Sequence, residues 1–323
     1  MHVSMLTWIV TVAVTVTILA VDVFVLGRRP HEPSRRELVV ALSGYVALAV
    51  IFGVGVSMVW GGSRGGEFFA GWLTEYSLSV DNLFVFLILM ARFDVPRQLQ
   101  QSALMVGIVV ALVFRGIFIG VGAAAISAFS WVFYIFGAFL VYTAFKLLGN
   151  DDEEQAEEPS RVVTWMRTKI PMTDEWHGSH FFARVDGRKL ATPMLLIAVA
   201  LGTTDLLFAL DSIPAIYGLT DQAYLVFAAN VFALMGLRQL YFLLGGMLER
   251  LHYLSYGLSF MLAFIGVKLV FHALHENSLP FINGGDPVHG APEVSTAASL
   301  IVIVGTMTIT VVASLLRERR AVT

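Results

Sequence analysis

The sequence predicts an all-α, polytopic membrane protein with about nine transmembrane helices, and three observations carry that reading. Hydrophobic residues fill 57% of the 323 positions and charged residues only 14%, against about 25% charged in an ordinary soluble domain. Apolar runs recur along the chain at about the 20-residue length that a bilayer's hydrocarbon core requires. Lys and Arg gather in alternate connections, the charge bias that sets membrane orientation. The formal net charge of −3 says little beside that distribution. There is no cysteine, which excludes disulfides and thiolate metal sites.

Nine runs meet the length criterion: about 5–26, 38–60, 68–91, 102–125, 129–149, 192–217, 223–246, 254–275 and 296–316. The first has no basic segment ahead of it and exceeds the roughly 7–15-residue core of a secretory signal, so it is expected to remain as a span. Only Ser127-Ala128-Phe129-Ser130 separates the fourth from the fifth. Seventeen of the 21 Lys and Arg residues fall in one set of connections and the tail, and only Arg64 falls in the opposite set. The rule that basic residues stay inside then places the N-terminus outside and the C-terminus in the cytoplasm.

Residues 1–66 hold the first two helices, 67–150 a first triplet and 191–276 a second. Between the triplets, 151–190 form the one long cytoplasmic connection. It opens with Asp151, Asp152, Glu153, Glu154, Glu157 and Glu158, a solvated run or, on a sharper reading, a metal-sensing patch. Residues 277–323 comprise a Gly- and Pro-rich outer loop, the ninth helix and a basic tail.

The two triplets carry one ionic series. The third span holds Glu75 and Asp81, the fourth Arg115, and the fifth ends at Lys146. The sixth holds Asp205 and Asp211, the seventh Arg238 and the eighth Lys268. Each opens with Thr, an acid, five residues, then Asp followed by Asn82 or Ser212. With the orientation above, the third span runs inward and the sixth outward, so the triplets read as inverted repeats, a transporter architecture with its site near the midplane. An acid inside a spanning helix costs roughly 2.5–3.5 kcal/mol on insertion scales, which marks these four as functional candidates.

Residues six apart on an ideal helix lie about 9 Å apart along the axis and about 120° round it. Both acids of one helix cannot aim at one ion unless the helix breaks or the acids act in turn. Pro214 favours a break in the sixth span, because it leaves the Leu210 carbonyl without its N–H partner. Carboxylate, amide and hydroxyl oxygens from Glu75, Asp81, Asn82, Asp205, Asp211, Ser212 and Asn230 suit a hard divalent cation such as Mn²⁺, Mg²⁺ or Ca²⁺. Four carboxylates against one dication leave a formal −2, balanced by protons or by Arg115, Arg238 and Lys268. Since bound ligands are deprotonated, metal binding would displace protons.

Plainer roles stand beside these. Arg115 and Arg238 read first as ion-pair partners that fix helix packing, and Lys146 as a snorkelling end residue. Asp22 reads as a structural partner of Arg28. His272, His275 and Glu276 share one helix face near the outer end of the eighth span, as interfacial polar residues or a transient exit site for metal.

Several long segments resemble the TerC family of bacterial integral membrane proteins, in particular its Alx-like manganese-exporter branch. They are Glu75 with Ser79-Val80-Asp81-Asn82-Leu83-Phe84-Val85-Phe86, then Phe133 to Phe139, then Phe208-Ala209-Leu210-Asp211-Ser212-Ile213-Pro214-Ala215, and Gly236 to Leu244. The resemblance covers nearly the whole chain. It implies nine spans, an inner-membrane location and Mn²⁺ efflux through the acids Glu75, Asp81, Asp205 and Asp211, with Asn82 and Ser212 beside them. Where the family pattern has a Glu three residues before the first Asp of the sixth span, this chain has Gly202, one carboxylate fewer for the site.

The expected function is secondary transport of Mn²⁺ out of the cytoplasm, with protons as counter-ion and the lipid bilayer as surroundings. No resident cofactor and no nucleic-acid partner is expected, and the oligomeric state is open. Other readings are export of another hard dication such as calcium, or a membrane scaffold or stress-response partner acting through 151–190. An intramembrane aspartyl hydrolase ranks last, because no protease-type signature accompanies the acids.

Overall fold

The computed structural model describes residues 3–21, 34–129, 131–149, 161–185, 187–244, 253–275 and 294–322, with most of 276–293. The chain builds helices α1 (Met5–Val21), α2 (Arg35–Trp60), α3 (Gly62–Arg92), α4 (Arg97–Ala128) and α5 (Val132–Gly149). A short α6 (Arg161–Lys169) and strands β1 (Phe182–Val185) and β2 (Arg188–Ala191) follow. Then come α7 (Pro193–Tyr217), α8 (Ala223–Met235), α9 (Leu237–Leu244), α10 (Leu254–His275) and α11 (Thr296–Val322).

Among the described residues, seven helical segments are long and apolar enough to cross a membrane, with α8 and α9 together as one of them. Two shorter apolar helices, Met5–Leu19 and Val132–Leu148, lie where the sequence places the first and fifth spans. The all-α polytopic membrane fold is borne out.

Local chemistry sets the helix ends. Ser34 and Glu37 form a reciprocal capping box at the start of α2, satisfying two otherwise orphaned donors. Gly61, at φ +96°, separates α2 from α3 in a conformation that side chains resist. Pro193 opens α7 at a position where the missing N–H costs nothing.

Among the described residues, segment α8–α9 is the most deeply buried span, whereas few residues of α2 and α11 are buried. Around it α3 packs against α8 and α7, α4 against α7 and α8, and α5 against α10. The α5–α10 crossing is close and reciprocal. A Cβ at Gly137 would lie 2.7 Å from the Gly266 carbonyl oxygen, and one at Gly266 would lie 2.8 Å from that of Gly137. Helices α3 and α7 are antiparallel: Arg64 and Asp221 meet at one end, while Phe93 and Pro193 line one cavity at the other.

The break expected at Pro214 is absent: α7 runs continuously to Tyr217. Pro214 sits in its last turn, where one missing hydrogen bond does not end the helix. The discontinuity falls instead in the seventh span, at Gly236 between α8 and α9. A Cβ there would lie 3.0 Å from Leu42 Cδ1 and 3.1 Å from the Tyr76 hydroxyl, so an added side chain would press on α2 and α3.

Within 151–190, described structure begins at Arg161. Strands β1 and β2 pair as an antiparallel hairpin whose turn includes Gly187 at φ +77°. Val163 and Met166 of α6 are buried in the core formed with α3, α4 and α7, which docks the segment onto the bundle. A cavity of about 430 Å³ lies between them, lined in part by Phe93, Asp94, Met172, Trp176 and Leu196. Asp22, the acidic run 151–158 and Glu276 lie outside the described residues.

Candidate functional site

The first acid of each triplet reaches the same place. Glu75 lies midway along α3 and Asp205 midway along α7, and both are almost wholly buried. Between them stands Arg115 of α4, 1% exposed. Its Nε donates to Asp205 Oδ2 at 3.1 Å and its Nη2 to Asp205 Oδ1 at 3.0 Å, the two-pronged geometry suited to a guanidinium and a carboxylate. Its Nη1 donates to Glu75 Oε1, to Asn230 Oδ1 at 3.0 Å and to Ser212 Oγ at 3.4 Å. Four helices, α3, α4, α7 and α8, are therefore tied at one guanidinium.

Secondary contacts orient these groups. Ser79 Oγ donates to Glu75 Oε1 at 3.4 Å, and the Asn230 amide donates to the Val226 carbonyl at 2.9 Å. That bond turns the Asn230 oxygen toward Arg115. Glu75 Oε2 and the Thr74 hydroxyl are buried with no hydrogen-bond partner among the described residues. Two carboxylates and one guanidinium sum to a formal −1, so the cluster is one positive charge short of neutrality. An unpartnered carboxylate oxygen at such depth is costly, and it faces the charge deficit.

Of the residues nominated from sequence, Glu75, Asp205, Ser212, Asn230 and Arg115 meet. Asn82 is buried on α3, seven residues beyond Glu75 and so on the same helix face. Asp81 and Asp211 lie within unbroken helices, and their side chains fall outside the described residues. Arg238 is buried on α9, just beyond the Gly236 break. Lys268 does not join the cluster: its Nζ donates to Ser299 Oγ of α11 at 3.1 Å. Among the described residues no three His, Asp or Glu side chains come together as a metal centre. His272 stacks edge-on against Phe133, and His275 Nδ1 lies 2.9 Å from the Phe271 carbonyl oxygen.

One polar cluster went unread in the sequence. Glu67 is buried near the start of α3, where it accepts from Arg64 Nη1 at 2.8 Å and Thr220 Oγ1 at 2.7 Å. Arg64 also donates to Asp221 Oδ1 at 3.1 Å, linking α3 to the α7–α8 turn. The available signal was the three-residue spacing of Arg64 and Glu67, which brings them together on one helix face.

A family model described as the integral membrane protein TerC family matches residues 60–322. The chain belongs to the TerC family. The family resemblance read from the sequence is thereby borne out. The uncharacterized membrane protein Rv2723 of Mycobacterium tuberculosis is 45% identical over 319 residues, covering 97% of this chain and 80% of that protein. The uncharacterized membrane protein STKORF319 of Myxococcus xanthus is 38% identical over 316 residues, 98% of this chain and 94% of the relative. Alx of Escherichia coli K12, named as a candidate membrane-bound redox modulator, is 38% identical over 268 residues, 80% of this chain and 84% of Alx. No solved structure matches. For this TerC-family chain the matched region contains the whole of α3 and every residue of the Arg115 cluster.

Proposed function

We propose that the protein is a secondary transporter, not an enzyme, that exports Mn²⁺ from the cytoplasm across the inner membrane, in exchange for protons, with its N-terminus outside and its C-terminus inside. One observation carries the reading: a buried carboxylate from each triplet meets at a single guanidinium, leaving one net negative charge and an unpartnered Glu75 oxygen. All-oxygen donors in the absence of cysteine favour a hard dication over a soft one. Asp81 and Asp211 complete the donor set in this reading, with Asn82, Ser212 and Asn230.

The pairing of helices supports treating the triplets as inverted repeats. Helix α3 packs on α8 as α4 packs on α7, the crosswise pairing that a twofold axis between the triplets generates. Gly137 of α5 and Gly266 of α10 approach each other reciprocally. Expelling an unaccompanied dication against −100 mV would cost about 4.6 kcal/mol, from roughly 2.3 per charge, and exchange for two protons removes that cost. The name of the relative Alx suggests a redox role, but this chain holds no cysteine through which thiol chemistry would run.

The test is metal flux in proteoliposomes with Mn²⁺, Ca²⁺, Mg²⁺ and Zn²⁺ under an imposed pH gradient. The expected result is Mn²⁺ flux that responds to the gradient and is lost in Asp81→Asn, Asp205→Asn and Asp211→Asn. Folded wild-type protein that moves none of these metals would remove the transport reading.

A further inference from the structure

Resting on that transport reading, we propose that Arg115 is a tethered stand-in for the transported cation: it occupies the carboxylates while metal is absent and must leave them before metal binds. The same guanidinium bonds Asp205 through both carboxylate oxygens, Glu75 through one, and the oxygens of Asn230 and Ser212. These are four of the donors that a hard dication would use. Metal–oxygen bonds of about 2.0–2.6 Å are shorter than the 3.0–3.1 Å spacing of the Arg115–Asp205 pair. A metal drawing these oxygens inward cannot share them with a guanidinium already filling the space between. Arg115 is also almost wholly buried.

The consequence concerns the empty carrier. On the metal-free return step, with the exchanged protons carried by the second acids Asp81 and Asp211, Glu75 and Asp205 would carry a bare −2 through the low-dielectric interior without Arg115, and with it they carry −1. Net efflux requires this metal-free return, whereas exchange of internal for external metal does not. Arg115 thus promotes net turnover while competing with the metal it serves, because affinity falls by the fraction of carriers whose site is free.

The experiment compares wild type, Arg115→Lys and Arg115→Gln. It measures Mn²⁺ binding to purified protein by calorimetry, and net efflux against Mn²⁺–Mn²⁺ exchange in proteoliposomes. Lysine keeps a cation in the core but lacks the planar fork, so Arg115→Lys carries the test if Arg115→Gln fails to fold. Expected are an apparent affinity about tenfold higher in both variants and, in Arg115→Gln, which alone removes the charge, a ratio of net to exchange flux about tenfold lower. Guanidinium ion added to Arg115→Gln should weaken Mn²⁺ binding again. Unchanged or weaker binding in folded Arg115→Lys, or a parallel fall of both flux modes in Arg115→Gln, overturns the proposal while the transport reading stands. Wild-type protein that neither binds nor moves Mn²⁺ overturns both.

Discussion

Removing Arg115 should destabilise the protein more than removing either acid that it holds. Asp205→Asn or Glu75→Gln converts a −1 cluster into a neutral pair, since one carboxylate still faces one guanidinium. The loss is then about 1.5–3 kcal/mol, the worth of a hydrogen bond to a charged group. Arg115→Met instead deprives Asp205 of two donors and Glu75, Asn230 and Ser212 of one each. It leaves two carboxylates buried side by side with no counter-charge, a change that costs about 3–5 kcal/mol when a buried pair loses one partner. The gap of about 2 kcal/mol corresponds to on the order of 5 °C in melting temperature. The assay is thermal unfolding in detergent with a chelator present, followed by tryptophan fluorescence. If Arg115→Met melts at or above the two acid variants, the acids do not depend on Arg115 for charge compensation and the reasoning fails.

Three further outcomes follow from packing and electrostatics. Gly266→Ala should lower stability by about 1–3 kcal/mol, because its Cβ meets the Gly137 carbonyl at 2.8 Å. Gly120→Ala, with no atom within 4 Å of its added Cβ, should be neutral or stabilising by up to about 1 kcal/mol; equal melting temperatures for the two would refute the close crossing. Gly202→Glu, which restores the family's acid, meets Val110 Cγ1 at 2.7 Å. It should therefore express as a destabilised protein that Val110→Ala rescues, read as the fraction recovered monodisperse after heating. At Asp221, burial raises the carboxyl pKa, but the Gln222 amide and the Arg64 guanidinium outweigh it and hold the group below its usual range. A lowered folded pKa contributes stability above the ordinary carboxylate range and loses it as pH falls through the lowered value. The α3 to α7–α8 link should weaken in acid below about pH 4, and Arg64→Gln should flatten that part of the melting-temperature profile.

What the sequence by itself determined is the membrane character, the positions of the spans and the family. Transfer free energy adds residue by residue along a run, so 20 apolar positions suffice without any knowledge of neighbours. The family was legible for a related reason: segments such as Phe208 to Ala215 are long enough to be specific as strings. The pairing within the candidate site was not. The repeated spacing drew attention to acids six residues apart, Glu75 with Asp81 and Asp205 with Asp211. In unbroken helices it is the seventh residue that returns to the same face, and Ser212 joins Asp205 at Arg115.

Nor could the sequence say that Pro214 leaves its helix intact while Gly236 interrupts the next span. Pro214 acts only on the final turn of α7, whereas Gly236 sits against Leu42 and Tyr76 from two other helices. Likewise Arg115 could be assigned a charge, but not its partners, because Glu75, Asp205, Ser212 and Asn230 lie 40, 90, 97 and 115 residues away along the chain. Burial is a sum over local composition, and it can be read from a string. Which carboxylate meets which guanidinium depends on how four helices rotate and pack against one another, and only the tertiary structure decides that.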